Sequence, residues 1–209
     1  MYDSIIFDVD GTLWDSTEEV AIAFNHVLKT RHPEVKEVAT AEKLETLFGL
    51  PLDEIAVKLF LSVSREHAVE VMKECCEYEN RYLAEHGAKL YAGLEETLKL
   101  LHENCKLFIV SNCQDGYIEC FFEANPALSQ YFTDYECPGR TGRFKAENIK
   151  LIVERNQLKH PVYIGDTQGD ANACKEAEVP FIYARYGFGE VKEYFRAIDS
   201  LEQIPEILK

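Results

Sequence analysis

The chain has 209 residues with a net charge of −15, and 46% of its residues are hydrophobic. This length suits one large domain or a core with a smaller inserted domain, and the apolar fraction argues against disorder. The acidic balance argues against nucleic acid or an anionic membrane as a partner, and no stretch is long and apolar enough to predict a membrane span.

The first predicted element is a short buried strand that ends in two acids. Residues 5–7 are apolar, Asp8 and Asp10 follow, and Gly11 marks the break that ends the strand. Because ligands of open α/β sheets bind beyond the carboxyl ends of the strands, both acids are predicted to lie at the reactive edge. Two carboxylates there can bind a divalent cation, or one can attack as a nucleophile while the other moves a proton. The alternative is that they only end the strand and cap a turn.

The next segment, residues 15–88, contains no convincing strand and is predicted to form four helices. Ser16 and Glu19 have the spacing of a capping box at the start of the first helix. Gly49 is predicted to end the second helix, and Ser64 to cap the fourth. These patterns predict antiparallel helices inserted directly after the first strand.

Such an insertion predicts two units. We expect residues 1–14 and 89–209 to form an α/β core and residues 15–88 to form an inserted helical cap. The turn at residues 48–51 either faces the site or is a plain connector between helices. Trp14 lies where the chain leaves the core, and either lines an entrance or packs between the two units.

Four later apolar runs are predicted strands, and amphipathic helical patterns separate them. The runs cover residues 107–110, 133–137, 162–164 and 181–184. Strands that alternate with helices predict an α/β fold with a doubly wound parallel sheet.

Polar residues follow these runs at positions where chemistry is possible. Ser111 and Asn112 end one strand, where a hydroxyl can donate to a phosphate oxygen, although a plain loop also explains them. Lys145 begins a predicted helix, where a cation can neutralise a transferring phosphoryl group, although most lysines are surface residues. Asp166 ends a further strand and, with Asp8, offers Mg²⁺ two oxygen ligands. Asp170 can support that site or only cap a helix.

Residues 7–13, Phe-Asp-Val-Asp-Gly-Thr-Leu, resemble the first motif of the haloacid dehalogenase superfamily, whose members mostly transfer phosphoryl groups through an aspartyl phosphate. Later segments follow in the superfamily's order, with Ser111 in the second motif, Lys145 in the third and Asp166 in the fourth. The helical insertion is similar to the helical-cap class, which includes phosphoglycolate phosphatases and β-phosphoglucomutases. One departure is Ala146, where relatives often carry proline.

The resemblance implies a role for each site residue. Asp8 is implied as the nucleophile and Asp10 as the general acid and base. The side chains of Asp8 and Asp166, with the backbone carbonyl of Asp10, are implied to hold Mg²⁺. The other implied site residues are Ser111, Asn112 and Lys145, which bind phosphoryl oxygens, and Gly11, Thr12 and Asp170, which support the site.

The implied reaction is the Mg²⁺-dependent hydrolysis of a small-molecule phosphate ester. Mg²⁺ is expected because an anionic nucleophile must approach an anionic ester. Proton donation by Asp10 near neutral pH requires a raised pKa, which we expect the neighbouring carboxylates to supply. Two alternatives stay open, namely a phosphomutase of the β-phosphoglucomutase type and a non-catalytic binding protein.

The seven cysteines are odd in number and scattered, and they contain no Cys-x-x-Cys pair. This pattern argues against a zinc site or a disulfide framework and favours reduced thiols. Because the chain enters a strand at once, without room for a signal peptide, we expect a cytoplasmic location. Cys113 lies near a reactive strand end and is either a reactive thiol or an inert small side chain. No oligomeric state is predicted.

Overall fold

The computed structural model describes residues 2–208, and a parallel sheet lies at its centre. The strands in chain order are β1 Ser4–Phe7, β2 Trp14–Asp15, β3 Lys89–Leu90, β4 Lys106–Val110, β5 Phe132–Glu136, β6 Pro161–Gly165, β7 Phe181–Ala184 and β8 Arg196–Ile198. Six of them form the sheet in the order β5-β4-β1-β6-β7-β8, and every neighbouring pair is parallel. The predicted α/β class with a parallel sheet is confirmed.

Helices cover the sheet on both faces. The helices of the described part of the chain, including those of the predicted cap, are α1 Thr17–Arg31, α2 Ala41–Glu45, α3 Leu52–Leu59, α4 Arg65–His86, α5 Leu94–His102, α6 Tyr117–Ala124, α7 Pro126–Ser129, α8 Pro138–Thr141, α9 Lys145–Arg155, α10 Gln168–Ala177 and α11 Ile204–Ile207. Within residues 2–208, no helix combines the length and the apolar character that a membrane crossing requires.

The central strand β1 is apolar along its whole length because both of its faces are covered. Ile5 and Phe7 belong to one hydrophobic core and Ile6 belongs to the other, as the alternation of side chains along a strand requires. All three side chains are completely buried. The strand is therefore held from both sides, and the residue that follows it, Asp8, has a fixed position at the middle of the sheet edge.

Three short strands are missing from the sequence-based prediction. β2, β3 and β8 have two or three residues each, too few to show a periodic pattern. β2 and β3 form an antiparallel ladder with Trp14 opposite Leu90 and Asp15 opposite Lys89. Helices α1–α4 lie between these two strands in the chain. The division into a core and a cap stays a prediction. The β2–β3 ladder lies at the two predicted boundaries of the cap, where the chain leaves the core and where it returns.

The predicted helix ends are correct in some places and wrong in others. Ser64 caps α4 as expected, since its hydroxyl accepts a hydrogen bond from the backbone N–H of His67 at 3.3 Å. The predicted capping box at Ser16 is wrong, because this side chain makes no cap hydrogen bond. Its hydroxyl donates to Asp10 instead. The second helix ends at Glu45, earlier than predicted.

A cluster of histidines and glutamates joins the end of α1 to the start of α4. His67 lies 2.8 Å from Glu34 Oε1 through Nε2 and 3.4 Å from Glu70 Oε2 through Nδ1. The hydrogen bond with His67 lowers the pKa of Glu34 to about 2, and the bonds to both glutamates raise the pKa of His67 above its usual value of 6.5. The pair is therefore stabilised in its charged form.

We expect His67→Gln to destabilise the protein at about pH 6 and to have little effect at about pH 9. Since the folded pKa of His67 is raised, its interaction with Glu34 stabilises the fold below 6.5 and is lost as the pH rises through the folded pKa. Urea unfolding of the wild type, His67→Gln, Glu34→Gln and the double variant measures the coupling free energy of the pair. A coupling that does not fall between the two pH values contradicts this prediction.

Candidate active site

The carboxyl ends of β1 and β6 bring three acids from distant parts of the chain together. The two strands are neighbours, with Phe7 opposite Ile164. Asp8 follows β1, and Asp166 follows β6, and both are buried. One carboxylate oxygen from each of Asp8, Asp166 and Asp170 lies within 4.8 Å of the other two. This arrangement follows from the parallel sheet, because it places strand ends of the same polarity at one edge.

A buried lysine contacts two of these acids. Lys145 Nζ lies 3.1 Å from Asp8 Oδ1 and forms an ion pair with Asp170. It also lies 5.5 Å from the centre of the Tyr163 ring. Burial opposes the charge, but the carboxylates of Asp170 and Asp8 raise the pKa of Lys145 and keep it an ammonium group. Ala146, where relatives often carry proline, is buried in α9 beside this lysine.

The charges of this cluster do not balance. In their ionised forms, Asp8, Asp166 and Asp170 supply three negative charges and Lys145 supplies one positive charge, which leaves two negative charges. Asp166 Oδ1 is buried without a hydrogen-bond partner among the described residues. Asp8 Oδ1 is buried too, and its contact is the ion pair with Lys145. Burial raises the pKa of Asp8 to about 7 and that of Asp166 well above its usual range. Free oxygen ligands and uncompensated negative charge together suit a divalent cation.

Two glycines leave room for the Asp166 carboxylate. Gly11 has a φ of +74°, and a Cβ at this position would lie 2.1 Å from Asp166 Oδ2. A Cβ on Gly187, in the loop after β7, would lie 2.3 Å from Asp166 Cβ. The backbone N–H of Phe188 donates to Asp166 Oδ2 at 2.7 Å. One oxygen of Asp166 is thus held in place, and the other is left for a ligand.

The loop after β7 is absent from the sequence-based prediction of the site. A signal for it exists, since Gly187 and Gly189 follow a predicted strand of the same parallel sheet. Strand ends of one polarity meet at one edge, and paired glycines there permit a close backbone approach.

Asp10 is surrounded by hydrogen-bond donors. Its Oδ1 accepts from Trp14 Nε1 at 3.0 Å, from Ser16 Oγ at 2.6 Å and from Tyr117 OH at 2.6 Å. Burial raises the pKa of Asp10, and these three hydrogen bonds oppose that rise. Burial is therefore the main cause of the raised pKa, and the neighbouring carboxylates that the sequence suggested are not. Sequence reasoning missed Ser16 and Tyr117 as partners of Asp10.

The other predicted site residues lie around Asp8. Ser111 is buried, and its hydroxyl opposes the rise in the pKa of Asp8. The amide nitrogen of Asn112 donates to the backbone carbonyl of Gly49 in the predicted cap, at 2.9 Å. Thr12 is completely buried, and its hydroxyl has no partner among residues 2–208. Asn112 therefore joins the sheet edge to the cap turn.

A small cavity of about 40 Å³ lies between the acids and the predicted cap. The turn at residues 48–51 faces it, since Phe48 and Gly49 line the cavity. The turn also packs on the core: the Phe48 and Phe188 ring centres are 5.9 Å apart, and a Cβ on Gly49 would lie 2.8 Å from the Thr167 side chain. The cavity is lined by Asp8, Asp10, Ser111, Asn112, Cys113, Gln114 and Tyr117 from one side, and by Phe24, Phe48, Gly49, Leu52, Ile55, Met72 and Glu79 from the other.

The Cys113 thiol lies in the wall of this cavity, but its surroundings disfavour the reactive thiolate. Burial raises the pKa of Cys113 well above its usual range. A thiol is nucleophilic as its thiolate, so this environment favours the inert alternative.

Comparisons with known proteins agree with this geometry. The family model for haloacid dehalogenase-like hydrolases matches residues 5–184. A phosphoglycolate phosphatase of Photobacterium profundum is 28% identical over 196 residues, which cover 88% of this chain and 83% of that protein. A phosphoglycolate phosphatase of Vibrio vulnificus is 26% identical over 222 residues, which cover 98% and 95%.

Solved structures show the same fold. A haloacid dehalogenase-like family hydrolase from Streptococcus pneumoniae has a TM-score of 0.83 at 20% identity, and the match covers 100% of this chain and 99% of that one. A hydrolase of subfamily IA of the superfamily, from Geobacter sulfurreducens, has a TM-score of 0.73 at 17% identity, and the match covers 100% of this chain and 97% of that one.

The predicted enzyme class, a phosphoric monoester hydrolase, is confirmed. The chain belongs to the haloacid dehalogenase-like hydrolase family.

Proposed function

We propose that this protein is a Mg²⁺-dependent phosphatase that hydrolyses a small phosphorylated metabolite through an aspartyl phosphate on Asp8. The unbalanced charge of the buried cluster carries this proposal. When ionised, Asp8, Asp166 and Asp170 leave two negative charges beside Lys145. Burial opposes that state, since it raises the pKa of Asp8 and Asp166, and the state is costly without a compensating cation. A divalent cation compensates both charges, and a ligand set made of oxygen atoms suits Mg²⁺.

The residues present fit that ion. The carboxylates of Asp8 and Asp166 would hold it together with the backbone carbonyl of Asp10. Asp166 Oδ1 is buried and accepts no hydrogen bond from the described residues. When bound, it would supply the positive charge that lets an anionic nucleophile approach an anionic ester.

Asp8 is the nucleophile in this proposal. It lies at the end of the central strand, where Lys145 and Ser111 keep its carboxylate in one orientation. A carboxylate oxygen of Asp8 attacks phosphorus in line, and the bond from phosphorus to the leaving oxygen breaks. Lys145, Ser111 and Asn112 bind the phosphoryl oxygens during this transfer.

Asp10 moves the protons. In the first step it donates a proton to the leaving oxygen, which the raised pKa caused by burial favours. It then takes a proton from a water molecule that attacks phosphorus, which releases phosphate and restores Asp8. Trp14, Ser16 and Tyr117 all donate to Oδ1 of Asp10, so they orient the carboxyl group and leave its second oxygen for proton transfer.

The substrate is small in this proposal. The cavity beside Asp8 has about 40 Å³, and residues of α1, α3 and α4 close it on the side of the predicted cap. We infer that residues 15–88 act as a cap that opens for substrate, with the β2–β3 ladder at its base. The relatives named above are phosphoglycolate phosphatases, which supports a compact metabolite as the class of substrate.

We expect Asp8→Asn to abolish turnover without unfolding the protein, because the amide cannot attack phosphorus. Acetyl phosphate hydrolysis with Mg²⁺ measures turnover, and rapid acid quench with mass spectrometry detects the phosphoryl group on Asp8. Asp115→Asn, at an exposed position near the site, is the matched control and should keep full activity. Turnover by Asp8→Asn at the wild-type rate would contradict the assignment of Asp8 as the nucleophile. Isomerisation of a sugar phosphate that depends on a sugar bisphosphate, seen in a coupled assay, would instead identify a phosphomutase.

We expect Gly11→Ala to weaken Mg²⁺ binding at least tenfold, that is by about 1.4 kcal/mol or more. An added Cβ would lie 2.1 Å from Asp166 Oδ2 and displace that carboxylate. Gly142→Ala is the control, because Gly142 has a similar φ of +70° but a Cβ there would meet no atom of the described residues within 4 Å. Both variants carry backbone strain of about 1–2 kcal/mol. Calorimetric titration with Mg²⁺ that shows equal losses in both variants contradicts the steric explanation.

We expect Tyr117→Phe to slow the hydrolysis of alkyl phosphates more than that of acetyl phosphate. The variant removes a donor that orients Asp10, and only a poor leaving group needs its proton. The expected loss is about tenfold in kcat for 2-hydroxyethyl phosphate, a fraction of what general acid catalysis contributes. Tyr135→Phe, whose hydroxyl bonds Glu119 away from the site, is the control. An equal loss with both substrates speaks against a role through Asp10.

A further inference from the structure

A buried glutamate on α4 lines the cavity that holds Asp8 and Asp10. Glu79 is 4% exposed, and its neighbours in the cavity wall include the apolar side chains of Ile55 and Met72. Gln114 and Cys76 lie beside its carboxyl group and oppose the rise of its pKa. Among residues 2–208, the wall of this cavity contains no lysine, arginine or histidine. Glu79 is therefore an acid without a cationic partner, placed opposite the catalytic residues.

The leaving group of the substrate must lie in this cavity. Asp10 has to reach the leaving oxygen to give it a proton, and Asp10 and Glu79 line the same space. A larger cleft of about 550 Å³ on the other side of Lys145 contains Arg143, but neither Asp8 nor Asp10 lines it. A cation in that cleft does not meet the leaving group.

The chemistry of Glu79 selects what the leaving group can carry. Burial raises the pKa of Glu79 well above its usual range, and the charge of Asp10 adds to this rise. A neutral carboxyl group donates one hydrogen bond and accepts others, so it suits a hydroxyl group. An ammonium group would pair with the ionised form. A second carboxylate or phosphate would add buried negative charge with no cation to compensate it.

We infer that Glu79 is a specificity residue, and that the leaving group carries a hydrogen-bond donor, a hydroxyl or an ammonium group, and no anionic group. This inference rests on the proposed function. It also means that this protein does not prefer phosphoglycolate, because the leaving group of that ester carries a carboxylate.

Three phosphate monoesters of similar size test the inference. They are 2-hydroxyethyl phosphate, phosphoethanolamine and phosphoglycolate, which place a hydroxyl, an ammonium and a carboxylate group at the same distance from phosphorus. For the wild type we expect kcat/KM for one of the first two to exceed that for phosphoglycolate by about tenfold or more, because the carboxylate is left unpaired. A preference for phosphoethanolamine identifies the ionised form of Glu79 in the complex, and a preference for 2-hydroxyethyl phosphate identifies the neutral form.

Glu79→Gln tests whether this residue causes the preference. The amide keeps the shape and removes the acid, so the ratio of kcat/KM values should move towards phosphoglycolate by about tenfold. Glu77→Gln, an exposed position on the same helix, makes the same chemical change away from the cavity and should leave the ratio unchanged.

The outcomes separate the two proposals. If the wild type hydrolyses none of these esters nor acetyl phosphate with Mg²⁺, the proposed function fails. If it hydrolyses acetyl phosphate but favours phosphoglycolate over both other esters, the specificity inference is overturned. An unchanged ratio in an active Glu79→Gln variant overturns it as well. If the Glu79→Gln variant loses acetyl phosphate hydrolysis, the kcat/KM values of the wild type for the three esters test the inference. A higher value for phosphoglycolate than for both other esters overturns it.

Discussion

The contact between the Lys145 ammonium group and two buried carboxylates organises the sheet edge. Without this cation, Asp8 and Asp170 would repel each other in a region shielded from water, and one of them would take up a proton. With it, the ionised cluster would still have two more negative charges than positive ones once Asp166 is included. That remaining charge is what the proposed divalent cation would compensate.

The geometry around this charge is restricted by the backbone as much as by side chains. Gly11 and Gly187 approach the Asp166 carboxylate so closely that a Cβ at either position would overlap it. The N–H of Phe188 then holds one oxygen of Asp166, so only the other can reach a ligand. Oriented oxygens cost no reorganisation when a charged group binds, which is what a site for phosphoryl transfer requires.

Asp10, the proposed proton-transfer residue, is connected by hydrogen bonds to the base of the predicted cap. Two donors to Asp10, Trp14 and Ser16, lie in the segment where the chain leaves the sheet for helices α1–α4. The third donor, Tyr117, begins α6 of the sheet layer. A displacement of the crossing segment would therefore change the hydrogen bonds of Asp10 together with access to the cavity. Glu79, on α4, lines the same cavity, where we infer that it meets the leaving group.

Local patterns in the sequence determined the parallel sheet, its helices and the acids at its strand ends, because apolar runs and helical periodicity depend on near neighbours. Asp8, Asp10 and Asp166 were thus visible as candidates before any contact was known. The tertiary structure decided which groups meet them. Ser16 was predicted as a helix cap and Glu79 was not predicted as a site residue, since no local pattern encodes contacts that arise from packing and register between distant segments.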